Sequence, residues 1–280
     1  TFQGGRNHSG NIFEWDLHTK KFAERFTFNP YSTGSLTKGG PVFWNGKLYG
    51  INSYGVRFGQ MNYEQRRPGD FFSWDPATNQ YQSHIWEYSI GTPTLYKDRF
   101  YIASPASNSI VRFDPSNDSI KYMAVLPPNT GTFNNYQDYI SANCITYGGN
   151  GKFYGLTPAK LHSGATPFRG TVYEWDTLTS EMAHKIDFVD TIGVYPTGDL
   201  IKVGEEFYGL TTGIGLPLNS TLFTYSPATN TLKKKAEISQ WTFGTPTYSK
   251  GKIYFSNEGA YSMIFEYDPV LDTNYQRAQV

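Results

Sequence analysis

Apolar and polar residues alternate with a period of two through short stretches along the whole chain, and each stretch ends at a turn signal. No stretch carries the 3.6-residue spacing of an amphipathic helix of roughly ten residues or more. One pattern recurs six times. It reads Ile12-Phe13-Glu14-Trp15-Asp16, Phe71-Phe72-Ser73-Trp74-Asp75-Pro76, Val111-Arg112-Phe113-Asp114-Pro115, Val172-Tyr173-Glu174-Trp175-Asp176, Leu222-Phe223-Thr224-Tyr225-Ser226-Pro227 and Ile264-Phe265-Glu266-Tyr267-Asp268-Pro269. The second aromatics are 59, 39, 62, 50 and 42 residues apart. A second pattern recurs five times, as Lys47-Leu48-Tyr49-Gly50, Arg99-Phe100-Tyr101, Lys152-Phe153-Tyr154-Gly155, Glu206-Phe207-Tyr208-Gly209 and Lys252-Ile253-Tyr254.

Each unit reads as four short strands. The first is small and apolar, as in Thr92-Pro93-Thr94-Leu95-Tyr96 and Thr245-Pro246-Thr247-Tyr248. Turn dipeptides such as Asn45-Gly46 and Lys250-Gly251 lead into the Leu-Tyr-Gly element. The aromatic-X-aromatic-Asp element is third. A turn such as Asp75-Pro76-Ala77-Thr78-Asn79 follows, in which Pro presets φ and Asp caps. The fourth strand is the most polar, as in Leu232-Lys233-Lys234-Lys235-Ala236, and suits a water-facing edge. Four strands per unit, repeated along one chain, predict an all-β fold: a β-propeller of four-stranded antiparallel blades.

The first two strands occur five times and the last two six times. The prediction is a single β-propeller domain over 1–280, with an N-terminal half-blade at 1–28. Complete blades follow at roughly 39–86, 91–127, 140–188, 195–239 and 244–280. About 20 more residues, before Thr1 or after Val280, would complete a sixth blade on the four-strand pattern. Alternatively, a partner chain donates strands to the half-blade. The chain starts at Thr1 without Met or a leader pattern, so it is expected to be mature, trimmed or excerpted.

Composition narrows the partners. The 24 basic and 24 acidic residues cancel, so the chain has no electrostatic footprint for nucleic acid. No apolar run is long enough to insert in a membrane. Aromatics make up 17% of residues, and flat side chains at fixed strand positions explain most of them as filling between blades. Cys144 is the only cysteine, so no internal disulfide forms, and it reads as a small buried strand residue.

The repeat resembles the Kelch-like class of propeller unit, without its regular double glycine. It is closer to bacterial tandem repeats of the GloVer type. The matching residues are Phe207-Tyr208-Gly209-Leu210-Thr211-Thr212-Gly213 and Gly170-Thr171-Val172-Tyr173-Glu174-Trp175-Asp176. The resemblance implies a secreted or surface-anchored protein, extracellular or on the cell surface, and carries over no catalytic residues.

Propeller connectivity sorts the connections onto two ends. The short turns share one end, and the other collects the long loops: Phe28 to Gly39, Ser53 to Gly69, Pro127 to Ile140 and Pro158 to Gly170. Long loops in a compact domain commonly carry function. Candidate ligand contacts there are Tyr54, Phe58, Tyr63, Arg66, Arg67, Trp86, Tyr88, Phe133, Tyr136, His162, Arg169, Tyr195 and Trp241, with Tyr139 and Phe168 beside them. Exposed aromatics stack on sugars or peptide groups, and Arg forks recognise carboxylates.

Catalytic signals are sparse. Asp16, Asp75, Asp114, Asp176 and Asp268 recur at one turn and read as caps. Glu14, Glu174 and Glu266 alternate with core aromatics and are expected beside neighbouring blades. Asp138, Asp187 and Asp190 sit near blade junctions, where a glycosidase would need paired carboxylates. His8 and His162 share a His-Ser-Gly context through repetition, without zinc-ligand spacing. Asp114 to Ser119 lacks the Gly and terminal Glu of a calcium loop. No catalytic residue, metal or cofactor is therefore assigned. The expectation is a binding or scaffold module for a glycan, a peptide or another protein subunit. A polysaccharide-active hydrolase or lyase, and a filament or surface-layer subunit joined through the half-blade, are the alternatives.

Overall fold

The computed structural model describes residues 6–16, 18–19, 21–37, 39–54, 68–85, 91–104, 109–125, 145–157, 169–212, 219–239, 241–242, 244–257 and 263–279. The chain divides into two compact units, Thr1–Tyr122 and Met123–Val280. All regular elements among the described residues are strands.

The first unit opens with a two-stranded sheet of β1 (Asn11–Asp16) and β2 (Lys21–Thr27). The second sheet holds β3 (Ser35–Thr37), β4 (Val42–Trp44), β5 (Lys47–Tyr54), β6 (Pro68–Asp75) and β7 (Gln80–Ile85). The third holds β8 (Thr94–Tyr96), β9 (Arg99–Ser104), β10 (Ser109–Asp114) and β11 (Ser119–Val125) in antiparallel order.

The second unit adds three sheets of the same order. They are β12 (Ile145–Gly149), β13 (Lys152–Thr157), β14 (Thr171–Asp176) and β15 (Met182–Asp187), then β16 (Pro196–Val203), β17 (Glu206–Thr211), β18 (Ser220–Ser226) and β19 (Thr231–Ile238). The last sheet is β20 (Thr247–Ser249), β21 (Lys252–Ser256), β22 (Met263–Asp268) and β23 (Thr273–Gln279). Five antiparallel blades and an N-terminal pair of strands are the β-propeller pattern that the repeats predict.

The second sheet differs in one respect. Its innermost strand is split into β3 and β4, both paired to β5. The Gly39-Gly40-Pro41 stretch lies between them. Pro41 has no N–H for a ladder, and a Cβ on Gly39 would stand 2.2 Å from the Gly91 carbonyl oxygen. In the second unit β16 stays continuous but irregular between Thr197 and Ile201, at the matching place. Cys144 lies outside the described residues.

Each core cluster is shared by two neighbouring sheets of one unit. Tyr154, Leu156 and Val172 meet Phe207, Phe223 and Tyr225, while Leu210 and Leu222 meet Ile253, Phe255 and Tyr267. Tyr49, Ile51 and Phe71 meet Phe100, Val111 and Phe113. Third strands such as β14 and β18 are buried almost throughout, and the outer strand β11 is mostly exposed. Covered on both faces, a third strand is apolar at successive positions, whereas an outer strand alternates or turns polar.

The turns repeat as well. Asn45-Gly46, Lys97-Asp98, Asn150-Gly151 and Lys250-Gly251 all have positive φ at both residues, the geometry of a type I′ hairpin. At the other turn Asp16, Asp75, Asp114, Asp176 and Asp268 each accept backbone N–H bonds from two or three residues on. Those N–H groups hold the Asp16 and Asp75 carboxyls below the usual carboxylate range. Four residues after the cap comes a left-handed residue: Asn79, Asp118, Ser180, Asn230 or Asp272. In three of these turns its side chain ties down the third-strand aromatic: Trp74 Nε1 donates to Asn79, and the Tyr225 and Tyr267 hydroxyls donate to Asn230 and Asp272.

Candidate functional site

The long-loop end of the second unit gathers three of the expected contact residues. Arg169 precedes β14, Tyr195 precedes β16 and Trp241 precedes β20. Hydrogen bonds link their segments. Tyr195 N–H donates to the Arg169 carbonyl at 3.2 Å, and Thr212 N–H donates to the Tyr195 carbonyl at 2.9 Å. Thr242, next to Trp241, donates from Oγ1 to the Thr211 carbonyl at 2.9 Å.

Beneath them lies a net of buried hydroxyls. Thr211 and Thr221 share an Oγ1–Oγ1 bond of 2.8 Å, and Thr221 Oγ1 donates to the Ile192 carbonyl at 2.8 Å. Ser220 Oγ donates to the Thr212 carbonyl and accepts from Thr242 N–H. These bonds fasten the segments entering β16 and β20 onto the ends of β17 and β18. Tyr195 has φ of +60°, a left-handed conformation that is costly for a bulky side chain. Its two main-chain bonds, to Arg169 and Thr212, hold the backbone there.

Above this base the charged and aromatic groups meet water. Trp241 is 57% exposed. Arg169 Nη2 pairs with Asp190 Oδ2 at 2.7 Å, with both side chains partly exposed. Asp187 Oδ1 accepts from Thr171 Oγ1 at 2.5 Å and meets His184 Nε2 at 2.8 Å. Burial pushes the Asp187 carboxyl up, but the bonds from Thr171 and His184 and the imidazole charge outweigh it and hold it low. This end thus offers an indole, a phenol and a guanidinium–carboxylate pair on a fastened base.

Tyr54 has its backbone in β5. Phe58, Tyr63, Arg66, Arg67, Trp86, Tyr88, Phe133, Tyr136, Tyr139, His162 and Phe168 lie outside the described residues, as does Asp138. An open cleft of the first unit lies elsewhere: Phe13, Glu14, Arg25, Phe43, Leu48 and Trp74 line it down to the Pro76 and Asn79 turn.

Two constellations in the first unit escape sequence reasoning. His84 Nε2 meets Ser73 Oγ at 2.8 Å and its Nδ1 meets Asp118 Oδ1 at 2.6 Å. The order Ser–His–Asp is that of a hydrolytic triad. However, Ser73 is only 2% exposed, and the imidazole stacks among Tyr49, Phe71 and Phe113, so no substrate carbonyl can reach the hydroxyl. Burial lowers the His84 pKa, against the pull of Asp118. The arrangement arises because residue 113 is Phe. Lacking a polar tip, it cannot bond Asp118 as Trp74 bonds Asn79, and His84 takes that role. The signal was a histidine in an outer strand, two residues beyond Gln82, the cross-strand partner of a third-strand serine.

The second constellation surrounds Asp70, which is 0% exposed. Tyr81 Oη donates to Asp70 Oδ2 at 2.6 Å and lies 2.9 Å from the Thr33 carbonyl, and Asn52 Nδ2 donates to that carbonyl at 2.7 Å. Registering the repeats would have found it. Asp70 pairs with Asn52 where other blades pair Ser109 with Ser104, Thr171 with Thr157 and Thr221 with Thr211. A carboxyl stands where its sisters have hydroxyls.

No family model matches the chain, and no curated protein matches it. The class is therefore set by the fold, a β-propeller. Among solved structures the chain is similar to one titled "Crystal structure of Nidogen/Laminin Complex", with a TM-score of 0.62 and 9% identity. The match covers 97% of this chain and 90% of that one. At this identity the likeness concerns the fold.

Proposed function

We propose that the chain is a non-catalytic binding module that holds a protein partner on the long-loop end of its second unit. The observation that carries this reading is the placement of Arg169, Tyr195 and Trp241 at one end, over a base of interlocked hydroxyls. Rigid aromatics flanked by an Arg make effective anchors, because little side-chain entropy is lost on contact. The similar solved structure is titled as a complex of two proteins, which favours a protein ligand over a glycan. The reading includes the secreted or cell-surface setting implied by the repeat resemblance.

The test is binding to immobilised peptide and glycan arrays, with self-association followed by sedimentation. Trp241→Ala and Arg169→Ala are expected to weaken the strongest peptide signal by about 10- to 100-fold while leaving the circular dichroism spectrum intact. Unchanged binding in both variants, or an absence of any binding and association, overturns the reading. A polysaccharide-active hydrolase or lyase is the second reading, motivated by the His184–Asp187 pair beside Asp190. Reducing-sugar release that survives in Trp241→Ala but is lost in Asp187→Asn would establish it instead.

A further inference from the structure

Five outer strands carry a β-bulge, and the register shifts make Arg25, His84, Lys185, Lys235 and Arg277 the extra residue. A bulge re-aims its side chain. Two of these residues cross to the next sheet and close the gap: His84 Nδ1 meets Asp118 Oδ1 at 2.6 Å, and Lys235 Nζ meets Asp272 Oδ1 at 3.3 Å. A third is reached from the next sheet, as Asn230 Nδ2 donates to the Lys185 carbonyl at 3.0 Å. Arg25 differs. Its Nε turns back to Glu14 Oε2 of its own sheet at 2.8 Å, and Asn79, the left-handed residue of the second sheet, is taken by Trp74 Nε1 at 3.0 Å. The gap between the first two sheets stays open as the cleft of 620 Å³. Ligand sites commonly span about 300–1,000 Å³.

A core position above the cleft is unfinished. Leu48 opposes the third-strand aromatic Trp74, as Phe100, Phe153, Phe207 and Ile253 oppose theirs. Those four are 0% exposed, whereas Leu48 is half-buried. Phe43, its partner on β4, is 63% exposed. The two strands of the first sheet cover Phe72, Trp74 and Tyr81 through Phe26 and Phe28. The cleft also has a direction. Ile12, Phe13 and Glu14 all line it, although successive strand residues face opposite ways, so it runs as a groove along the margin of β1. At its rim Glu14 Oε1 and the remaining guanidinium N–H groups of Arg25 make no bond among the described residues. An acceptor beside a donor matches the N–H and C=O of a peptide unit. The two charges cancel, so a charged side chain would lose hydration in the groove without a net counter-charge.

We propose that this groove docks an extended, uncharged segment of a partner protein. A bulky apolar side chain of that segment seats on Leu48 beside Phe43, completing the core position that the other sheets fill for themselves. Its main-chain N–H and C=O bond Glu14 Oε1 and the Arg25 guanidinium. The groove lies in the first unit and is independent of the binding surface proposed for the second.

The experiment is fluorescence anisotropy of the labelled peptide acetyl-Ser-Phe-Ser-Leu-Ser-amide titrated with the whole chain. It is expected to bind at least about 10-fold more tightly than analogues carrying Lys or Glu in place of both Phe and Leu. Phe43→Ala is expected to weaken it about 10-fold and Arg25→Gln about threefold. Both side chains are largely exposed, so both variants should keep the circular dichroism spectrum. An absence of binding up to about 1 mM overturns the proposal, as does equal binding of the charged analogues. Weakening in Trp241→Ala with none in Phe43→Ala places the peptide on the second unit, which overturns this proposal and leaves the other standing. A dimer in sedimentation that Phe43→Ala disperses makes the occupant a second copy and overturns it as well.

Discussion

Gly198→Ala is expected to remove more than about 4 kcal/mol of stability, while Gly204→Ala removes about 1 kcal/mol. The two glycines share a backbone conformation, with φ of +64° and +63°. An alanine at either pays the same left-handed strain. They differ in what surrounds them. Nothing lies within 4 Å of a Cβ built on Gly204. A Cβ on Gly198 would stand 2.3 Å from the Gly244 carbonyl oxygen and 2.9 Å from Thr245 N. These are backbone atoms of the neighbouring blade and cannot swing aside as a side-chain tip can. They are also fixed, because Asp199 N–H donates to Thr245 Oγ1 at 2.9 Å and Thr245 Oγ1 donates to Asp199 Oδ2 at 3.1 Å. Urea unfolding of both variants, followed by circular dichroism, checks the contrast. Equal losses would show that the blades can slide apart and that the close approach is not a constraint.

That contact shows what the sequence reveals and what it hides. The strands and turns were legible because each rests on neighbours in sequence. Alternation, the Asp cap and the left-handed residue four positions on are all local. The Gly-Thr-Pro-Thr runs beginning at Gly91 and Gly244 were visible as small first strands. What their backbones do was not, since they exclude a side chain at Gly39 and Gly198, about 50 residues away in the adjoining blade. The candidate site divides in the same way. Arg169, Tyr195 and Trp241 were legible as Arg and aromatics at blade junctions. The linkage of Arg169 and Tyr195 depends on the Tyr195–Arg169 and Thr212–Tyr195 main-chain bonds, which carry no residue-type signature. Asp70 was missed for another reason. Its neighbours Gly69 and Phe71 look like an ordinary strand entrance, and only the register against Ser109, Thr171 and Thr221 exposes the exchanged hydroxyl.

The recurring glutamates turn one repeat position into a graded experiment. Glu14, Glu174 and Glu266 each meet a cation eleven residues on, in the adjoining outer strand: Arg25, Lys185 and Arg277. Their expected place beside neighbouring blades is therefore refined to a pairing within their own sheet. Environment separates them. The Glu14 side chain is 54% exposed, and that of Glu174 is 10% exposed. Glu174 also accepts from Lys152 Nζ at 2.7 Å and from the Tyr154 hydroxyl at 2.5 Å. Burial pushes the Glu174 carboxyl up, yet the bonds from Lys152 and Tyr154 and the nearby lysine charges outweigh it and keep it ionised. Glu174→Ala strips a buried hydroxyl and a half-buried ammonium of their acceptor at once. Tyr154 cannot turn to water, because its ring is wedged against Phe207 and Tyr225. The expected loss is about 2–3 kcal/mol, largely insensitive to salt. Glu14→Ala breaks only an exposed ion pair and is expected to cost at most about 1 kcal/mol, less as salt rises. Glu174→Gln should recover part of the loss, since an amide oxygen still accepts from Tyr154 while the attraction to Lys152 is gone. Denaturant unfolding of the three variants at low and high salt measures this. If Glu14→Ala and Glu174→Ala lost the same stability, repeat position and not burial would set the worth of the carboxylate.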